Sequence, residues 1–370
     1  IMSSDWSSDV CSSDLPRRRL VPSLAPTDES VHSGSVSQAI RIHEVGGPDV
    51  LRLETVEPAA IGPRQVRVRH TAVGVNFIDI YHRSGLYPLP SLPHGLGTEA
   101  AGVVEAVGAE VDEPSVGDRV AYITSTPGTY ATHGVIDAAR AVPVPEDVED
   151  EVAAAALLKG MTVEYLVRRT YRVTRGETVL LHAAAGGVGL IACQWLKEIG
   201  ATVVGTVGTR EKAELARAHG CTHPVVVPEE DFVAKVLEVT DGVGVPVVYD
   251  SVGRTTFLRS LDCLEPRGLY VGFGNASGKP EPFDMGVLAQ KGSLFLTRPT
   301  LFDYVGSRSE LLDSANSLFG LIGTGEIRIE VRQKWALAEA AQAHAALEGR
   351  RTTGASVLLV GGGPGAAVSP

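Results

Sequence analysis

The sequence predicts an α/β protein of two domains, a β-rich first domain followed by a doubly wound parallel sheet. The chain has 370 residues, more than one ordinary core accommodates. Short alternating segments separated by Gly and Pro occupy residues 39–144. After Glu151, strand-like and helix-like segments alternate along the chain, which is typical of a parallel sheet with helices on both faces.

The amino-acid composition excludes some classes of binding partner. With 44% hydrophobic and 21% charged residues, the chain has enough apolar mass for a packed interior. Its net charge of -11 removes the electrostatic basis for binding nucleic acid or an anionic membrane, and no apolar run approaches the roughly 18 residues of a membrane span. The four cysteines are too few and too scattered for a disulfide framework, so a cytoplasmic location is predicted.

The first 36 residues lack a globular pattern. Ser-Ser-Asp occurs three times, followed by Pro16 and three arginines with no apolar period behind them. A secretory signal needs a continuous apolar stretch after its charges, and the acidic residues disfavour a transit peptide. We expect residues 1–36 to be a disordered leader that does not look native, with a native start near Val36, and residues 362–370 to be a disordered tail.

The secondary-structure elements predicted for the first domain are strands. Residues 65–70 (QVRVRH) and 102–107 (GVVEAV) alternate between apolar and polar or small side chains, and Gly and Pro separate such segments. This pattern predicts a β-rich, barrel-like domain.

The second domain has the pattern of a Rossmann fold. Strands are predicted over 178–182, 201–207, 245–252 and 268–274, and helices over 188–199, 210–219 and 255–264. Beyond Arg298, helical segments at 310–322 and 336–347 and an apolar strand at 355–360 are expected to pack back on the first domain. The predicted boundaries are 37–160 for the first part of the catalytic domain, 161–300 for the Rossmann domain and 301–361 for the return segment.

A glycine-rich turn, residues 183–189 (AAAGGVG), lies between a predicted strand and a predicted helix. Glycine there allows a tight turn and lets backbone N–H groups approach a pyrophosphate, whose charge the helix N-terminus favours. Ala184 takes the first glycine position of G-x-G-x-x-G. Such a turn also occurs as an ordinary connection, and it is the flanking strand and helix that favour a dinucleotide site.

The end of the second Rossmann strand bears on the choice between NADH and NADPH. NAD sites usually place an acid there to bind the ribose 2′-hydroxyl. Residues 205–209 (GTVGT) contain none, and Arg210 and Lys212 follow, where a cation could meet a 2′-phosphate. NADPH is therefore predicted, although a solvated helix face would equally explain these two cations.

Seven stretches match one family as a set: 76–81 (NFIDIY), 83–87 (RSGLY), 95–102 (GLGTEAAG), 159–162 (KGMT), the turn at 183–189, 249–253 (YDSVG) and 273–275 (FGN). With them, residues 40–360 resemble the zinc-independent quinone oxidoreductases, the zeta-crystallin-like branch of the medium-chain dehydrogenase/reductase superfamily. The resemblance implies a GroES-like catalytic domain joined to the Rossmann domain, in a homodimer.

The resemblance also implies roles for individual residues. The candidate catalytic residues are Asn76, Tyr81 and Tyr87, which would line the cleft where nicotinamide meets quinone, and Arg298 at the substrate mouth. The implied cofactor-binding residues are Asn76, Tyr81, Thr162, Gly186, Gly187, Val188, Gly189, Gly208, Lys212, Phe273, Gly274, Asn275 and Arg350. Where the family often has a tyrosine near the 2′-phosphate, this chain has Val227, which bears on how strongly NADPH is preferred over NADH.

No catalytic metal is predicted. Zinc-dependent relatives need Cys and His ligands in the first domain, whereas this chain has no cysteine between Cys11 and Cys193. Residues 97–99 (GTE) occupy the position that resembles Gly-His-Glu of those relatives, so the histidine ligand is missing too. His94 and His133 are interpreted as surface or satisfied core residues.

Without a metal, the substrate must already be electrophilic. A quinone fits, because its reduction gives an aromatic hydroquinone whose oxyanion modest hydrogen-bond donors can stabilise. Asn76, Tyr81 and Tyr87 would orient the ring and donate to its oxygens, although packing alone would equally explain both tyrosines. Two alternatives stay open: NADPH-dependent reduction of the activated double bond of an enone or alkenal, and a non-catalytic, crystallin-like protein that binds NADPH.

Overall fold

The computed structural model describes residues 37–361, which form sixteen strands in three sheets. The expectations for residues 1–36 and 362–370 lie outside this range. The strands are β1 (Ser37–Ile42), β2 (Arg52–Val56), β3 (Gln65–Val75), β4 (His94–Gly95), β5 (Glu99–Val107), β6 (Arg119–Ile123), β7 (His133–Asp137), β8 (Val142–Pro143), β9 (Thr178–Leu181), β10 (Thr202–Val207), β11 (His223–Val226), β12 (Val245–Asp250), β13 (Leu264–Gly272), β14 (Phe295–Thr297), β15 (Val331–Ala336) and β16 (Ala355–Leu359).

Ten α-helices connect the strands of the described range. They are α1 (Phe77–Arg83), α2 (Asp150–Tyr165), α3 (Gly187–Ile199), α4 (Arg210–Ala218), α5 (Phe232–Val239), α6 (Phe257–Ser260), α7 (Gly286–Gln290), α8 (Leu301–Tyr304), α9 (Arg308–Gly323) and α10 (Ala340–Glu348). No helix within residues 37–361 is long and apolar enough to cross a bilayer.

The β-rich lobe is built on the long strand β3. It pairs antiparallel with β5, β7 and β16, in a seven-stranded sheet of order β15-β16-β3-β5-β6-β8 with β7 added on β3. A smaller antiparallel sheet of order β2-β1-β4 accompanies it. The pairing of β16 with residues 72–75 of β3 means that the chain returns to its first sheet after completing the second.

The second lobe is a six-stranded parallel sheet of order β11-β10-β9-β12-β13-β14. From β9 the chain moves outward to β11 on one side and, after returning, to β14 on the other, which is the doubly wound order of a Rossmann sheet. The predicted fold class is confirmed. Gly200, with a φ of 86°, ends α3 as the sequence predicted.

The predicted helix over residues 255–264 is wrong in extent. Helix α6 covers only Phe257–Ser260, and a 3₁₀ turn follows before β13 begins. The later start of the helix has its reason at the end of β12, where the Asp250 carboxylate accepts hydrogen bonds from the backbone N–H groups of Val252 and Gly253. These bonds hold residues 251–253 in a turn ahead of the helix, and the 3₁₀ turn Leu261–Cys263 then leads into β13 at Leu264.

Helix α2 connects the two lobes. Twelve of its sixteen residues are buried, and it packs against β3, β5 and β6 on one side and against α3 and α9 on others. Runs of small side chains such as Ala153–Ala156 permit this close approach, and Gly160 faces Leu318 of α9 so closely that a Cβ would overlap both Leu318 methyl groups.

Two helical glycines test this packing. Gly160→Ala gains helix propensity but overpacks a fully buried leucine, so we expect the free energy of unfolding to fall by about 1–2 kcal/mol. Gly320→Ala in α9, where a Cβ meets no atom within 4 Å, should raise it by about 0.5–1 kcal/mol. Urea unfolding measures both, and equal effects of the two substitutions would contradict the packing described.

Candidate active site

The glycine-rich turn lies between β9 and α3, as the sequence predicted. Gly186 is the N-cap of α3 and, within residues 37–361, no side chain caps the first backbone N–H groups of the helix. The left-handed position of the turn is Ala183, with a φ of 57°, one residue before Ala184. A non-glycine residue there is uncommon, so this turn contains local backbone strain.

The turn fits the pyrophosphate of a dinucleotide. A Cβ at Gly189 would overlap the carbonyl oxygen of Ala183, so glycine is required for the turn itself. A Cβ at Gly187 would lie 3.0 Å from the Lys159 side chain and 3.1 Å from the Gly354 carbonyl oxygen. N–H groups at the start of a thirteen-residue helix, with no side chain hydrogen-bonded to them in residues 37–361, are the arrangement that binds phosphate.

The end of β10 is open and cationic. A Cβ at Gly208 would meet nothing within 4 Å, and Thr209 caps α4 by accepting the Lys212 backbone N–H. The Lys212 ammonium donates to the Arg350 carbonyl oxygen at 2.8 Å, which brings these two predicted residues together. Partial burial and the charge of Arg350 lower the pKa of Lys212.

Arg210, the other cation predicted near this point, has a different environment. Its guanidinium is paired with Glu229 at 2.7 Å on the surface. Val227, which follows β11 and donates its backbone N–H to the Val207 carbonyl oxygen, is exposed. The ammonium of Lys212 bonds a carbonyl oxygen and not a carboxylate. A phosphate at this end of the sheet would therefore meet Lys212 without having to displace a carboxylate.

Two tyrosines of the β-rich lobe bond to the Rossmann lobe. The Asn275 backbone N–H donates to the Tyr81 hydroxyl oxygen at 2.9 Å, and the Asn275 side-chain amide donates to that of Tyr87 at 3.2 Å. Arg298 also donates to the Tyr87 hydroxyl, at 2.9 Å. The structure therefore brings together four predicted residues that lie up to 217 positions apart, Tyr81, Tyr87, Asn275 and Arg298.

The direction of these bonds decides whether the tyrosine hydroxyls can donate a hydrogen bond to a ligand. Both hydroxyl oxygens accept from protein donors, so each O–H proton is left to donate to a ligand. Burial raises the pKa of Tyr81 to about 12, so its hydroxyl stays neutral near pH 7. The pair therefore forms a hydrogen-bond donor surface for a substrate oxygen.

Asn76 begins α1, the helix that carries Tyr81. It is buried, and its side-chain Nδ2 donates to Glu99 at 2.8 Å. Glu99 in turn accepts from the ammonium of Lys159, whose stem lies against Gly187 of the dinucleotide turn. These contacts connect the catalytic cleft with the turn.

The other predicted cofactor residues flank these groups. Thr162 lies one helical turn after Leu158 in α2 and donates to its carbonyl oxygen at 2.7 Å. Phe273 and Gly274 follow β13, and a Cβ at Gly274 would lie 2.5 Å from the Ser251 carbonyl oxygen, so the loops after β12 and β13 are in close contact. Val188 is the second residue of α3.

Sequence reasoning missed a buried polar network behind the cleft. Asp79 of α1 accepts from Thr98 and Tyr130, and from the Asn76 backbone N–H. Tyr130 also contacts His344 of α10, which bonds to the buried Arg83. Burial raises the pKa of Asp79 to about 7 and lowers that of His344 to about 3.

Glu99 and Lys159 were also missed as functional residues. Each is a lone charge within an apolar run, EAAGVV and AAAALLKGMTV. Because a charged residue is almost never fully buried unless it is paired, such isolated charges are a signal that could have identified them.

His94, His133 and the cysteines of the described range are the side chains that bear on a metal site. Among residues 37–361, no group of three or more His, Cys, Asp or Glu side chains could hold a metal ion. His94 bonds to the Gly95 carbonyl oxygen and His133 to Thr132. Cys193, Cys221 and Cys263 are buried free thiols.

Comparisons with known proteins agree with the fold. The alcohol dehydrogenase GroES-like domain family matches residues 62–146, and the zinc-binding dehydrogenase family matches residues 187–310. Quinone oxidoreductase of Pseudomonas aeruginosa is 54% identical over 324 residues, which cover 88% of this chain and 100% of that protein. The 2-haloacrylate reductase of a Burkholderia species is 46% identical over 328 residues, covering 86% and 97% respectively. The crystal structure of Escherichia coli quinone oxidoreductase complexed with NADPH superposes with a TM-score of 0.86 at 50% identity, covering 87% of this chain and 99% of that one.

The raised pKa of Asp79 gives a test of the buried network. Because its pKa is about 7 in the folded protein against an ordinary 3.8, the stability it contributes is complete below about pH 4 and is lost as pH rises to 7. Asp79→Asn removes this titration, so we expect the variant to gain stability relative to wild type from pH 4 to 7 and to level off above. Urea unfolding across this range measures it. The control, Asp112→Asn at an exposed site, should parallel wild type, and an Asp79→Asn curve that also does so would contradict the burial argument.

Proposed function

We propose that this chain, which belongs to the quinone oxidoreductase family of the medium-chain dehydrogenase/reductase superfamily, reduces quinones with NADPH in the cleft between its two lobes and without a metal ion. The observation that carries the proposal is the pair of tyrosine hydroxyls, Tyr81 and Tyr87. Their oxygens accept from Asn275 and Arg298 of the other lobe, and their protons are free to donate. The cleft lies between a proposed first catalytic segment, 37–160, with its return segment, 301–361, and a proposed Rossmann segment, 161–300.

The residues present suit NADPH. When bound, the cofactor supplies a hydride from its nicotinamide. Gly186, Gly187, Val188 and Gly189 would hold its pyrophosphate through the backbone N–H groups of α3, with Thr162 nearby in α2. Gly208, Lys212 and Arg350 would hold the adenosine 2′-phosphate, and Asn76, Tyr81, Phe273, Gly274 and Asn275 would lie on the nicotinamide side.

The protein's own contribution to the reaction is orientation and hydrogen bonding. The hydroxyls of Tyr81 and Tyr87 donate to the oxygen on which negative charge develops, and their fixed positions remove the cost of aligning them during the reaction. Because burial raises the pKa of Tyr81 to about 12, its hydroxyl stays neutral and acts as a hydrogen-bond donor, and the proton that completes the reduction comes from solvent. Arg298 adds positive charge at the same hydroxyl of Tyr87.

A second substrate class is favoured by one specific observation. The 46% identical relative is named a 2-haloacrylate reductase, and its substrate has an activated double bond. Such a substrate accepts a hydride and places negative charge on a carboxyl or carbonyl oxygen, which the same two hydroxyls could receive. Reduction of an activated alkene is therefore the alternative activity of this site. The third possibility, a crystallin-like protein that binds NADPH without turnover, has no such observation behind it.

We also propose that the protein is a homodimer and that it resides in the reducing cytoplasm. Strand β14 is the last strand of the parallel sheet, pairs only with β13 within the described residues, and exposes 59% of Phe295. An apolar, unpaired edge favours pairing with a second copy. The three free thiols of the described range are consistent with a reducing compartment. Light scattering would test the dimer.

Parallel assays of NADPH and NADH test the proposed function. Each cofactor is offered a quinone, an enone and an alcohol, with and without a chelator, while nicotinamide absorbance is followed. Fast, chelator-insensitive oxidation of NADPH by the quinone is the expected result. Turnover with the enone alone would move the protein to the alkene reductases, and tight NADPH binding without any turnover would favour the non-catalytic alternative.

Lys212→Ala tests the 2′-phosphate site. Loss of a charged hydrogen bond of about 1.5–3 kcal/mol should raise the KM for NADPH about 10- to 100-fold and leave the KM for NADH within about twofold. Arg210→Ala is the matched control, because its guanidinium is already paired with Glu229 on the surface, and it should change neither KM appreciably. Equal effects of Lys212→Ala on both cofactors would refute the assignment.

Removal of the two hydroxyls tests their role as donors. Tyr81→Phe and Tyr87→Phe should each lower kcat/KM for the quinone about tenfold or more, since each deletes a donor to the developing charge. The pH profile of kcat/KM for the wild type should contain no step from ionisation of Tyr81 between pH 6 and 9, because the pKa of Tyr81 is about 12. Full activity in both phenylalanine variants would leave the tyrosines with a packing role only.

A further inference from the structure

A fully buried carboxylate lies behind the cleft. Glu99, the first residue of β5, has no exposed surface and accepts three hydrogen bonds. The donors are the Asn76 side-chain Nδ2 at 2.8 Å, the Leu158 backbone N–H at 2.8 Å and the Lys159 ammonium at 2.9 Å. The Lys159 ammonium supplies the compensating charge, so the pair is buried as an ion pair and not as a lone charge.

The surrounding backbone is shaped to accommodate this ion pair. A Cβ at Gly74 of β3 would overlap the Glu99 Oε1 atom and the Ala154 carbonyl oxygen, so only glycine leaves room for the carboxylate between β3 and α2. On the other side, the Cδ and Cε atoms of Lys159 lie 3.0 Å from where a Cβ of Gly187 would be. The lysine stem therefore lies against the dinucleotide turn while its head bonds Glu99.

The ion pair decides how the Asn76 amide is turned. An ionised carboxylate accepts hydrogen bonds and cannot donate one, so Asn76 must direct its NH₂ group towards Glu99 and its Oδ1 away from it. The Oδ1 atom is then turned towards the Asp79 backbone N–H in the capping box of α1, and because an amide oxygen has two lone pairs it can also accept from a ligand. This differs from the expectation from sequence, in which Asn76 donates to the substrate.

We propose that Lys159 and Glu99 are positioning residues that fix the amide orientation of Asn76, so that its Oδ1 accepts from an O–H or N–H group of the bound cofactor or substrate. The role in turnover rests on the proposed function, whereas the fixed amide orientation is a property of the free protein. Lys159 also lies against Gly187, so the same side chain contacts both the Glu99 carboxylate and the dinucleotide turn.

The first experiment reads the amide directly and needs no turnover. The chain has only three asparagines, Asn76, Asn275 and Asn316, so selective ¹⁵N-asparagine labelling gives three side-chain NH₂ groups in an NMR spectrum. The group that disappears in Asn76→Ala belongs to Asn76. In the free protein, Glu99→Gln and Lys159→Met should each shift the Asn76 NH₂ protons by several tenths of a part per million and leave those of Asn316 in place.

Glu164→Gln is the matched control. Glu164 is a buried glutamate of the same helix as Lys159, paired with Arg169 and Ser314, and it does not contact Asn76. It should leave the Asn76 resonances unchanged. Unchanged Asn76 resonances in both Glu99→Gln and Lys159→Met, or equal shifts in Glu164→Gln, would overturn the proposal.

The second experiment is a double-mutant cycle on turnover. Glu99→Gln and Lys159→Met should each lower kcat about tenfold with the KM for NADPH changed less than threefold, and should change kcat less than twofold in an Asn76→Ala background. The same loss in both backgrounds would show a general structural role and overturn the proposal. Failure of the wild type to reduce quinone or enone would refute the proposed function instead, and the NMR experiment would still decide the orientation of the amide.

Discussion

The burial of α2 between the two lobes is the constraint on which the rest of the structure depends. The helix packs against the central strands of the β-rich sheet and against α3, the helix that follows the dinucleotide turn. Small side chains and Gly160 let it approach α9 closely. Because Lys159 and Thr162 lie on this one buried helix, the spacing between the catalytic cleft and the cofactor turn is fixed by packing and not by a flexible linker.

The chemistry of the cleft follows from what its polar groups leave unpaired. Tyr81 and Tyr87 accept from the Rossmann lobe and retain their protons as donors, whereas Asn76 donates to Glu99 and retains its oxygen as an acceptor. A site with two hydroxyl donors, one of them beside the Arg298 guanidinium, and one acceptor can orient a molecule and stabilise developing charge. It suits substrates that accept a hydride unaided, such as quinones and activated alkenes, and the relatives named quinone oxidoreductase and 2-haloacrylate reductase fall in these two classes.

The sequence predicted what local patterns encode. The fold class and the family are confirmed. Both could be predicted because strand and helix periods, the helix end at Gly200 and the motif stretches are local features of the sequence. The roles of the individual site residues stay predictions. Bonds between distant residues could not be predicted: Asn275 reaches Tyr81 across 194 positions, and Glu99 meets Lys159 only because β5 packs against α2. The late start of the helix near residue 257 is another such case, since Asp250 holds the preceding turn through bonds that no periodicity reveals.

A crystal structure with NADP⁺ and a quinone bound together tests the central claim most directly. The account places a quinone oxygen within hydrogen-bonding distance of the Tyr81 or Tyr87 hydroxyl, the ring against the nicotinamide, and the 2′-phosphate at Lys212. A quinone bound elsewhere with both hydroxyls turned away, or a metal ion coordinated at the reacting oxygen, would contradict it.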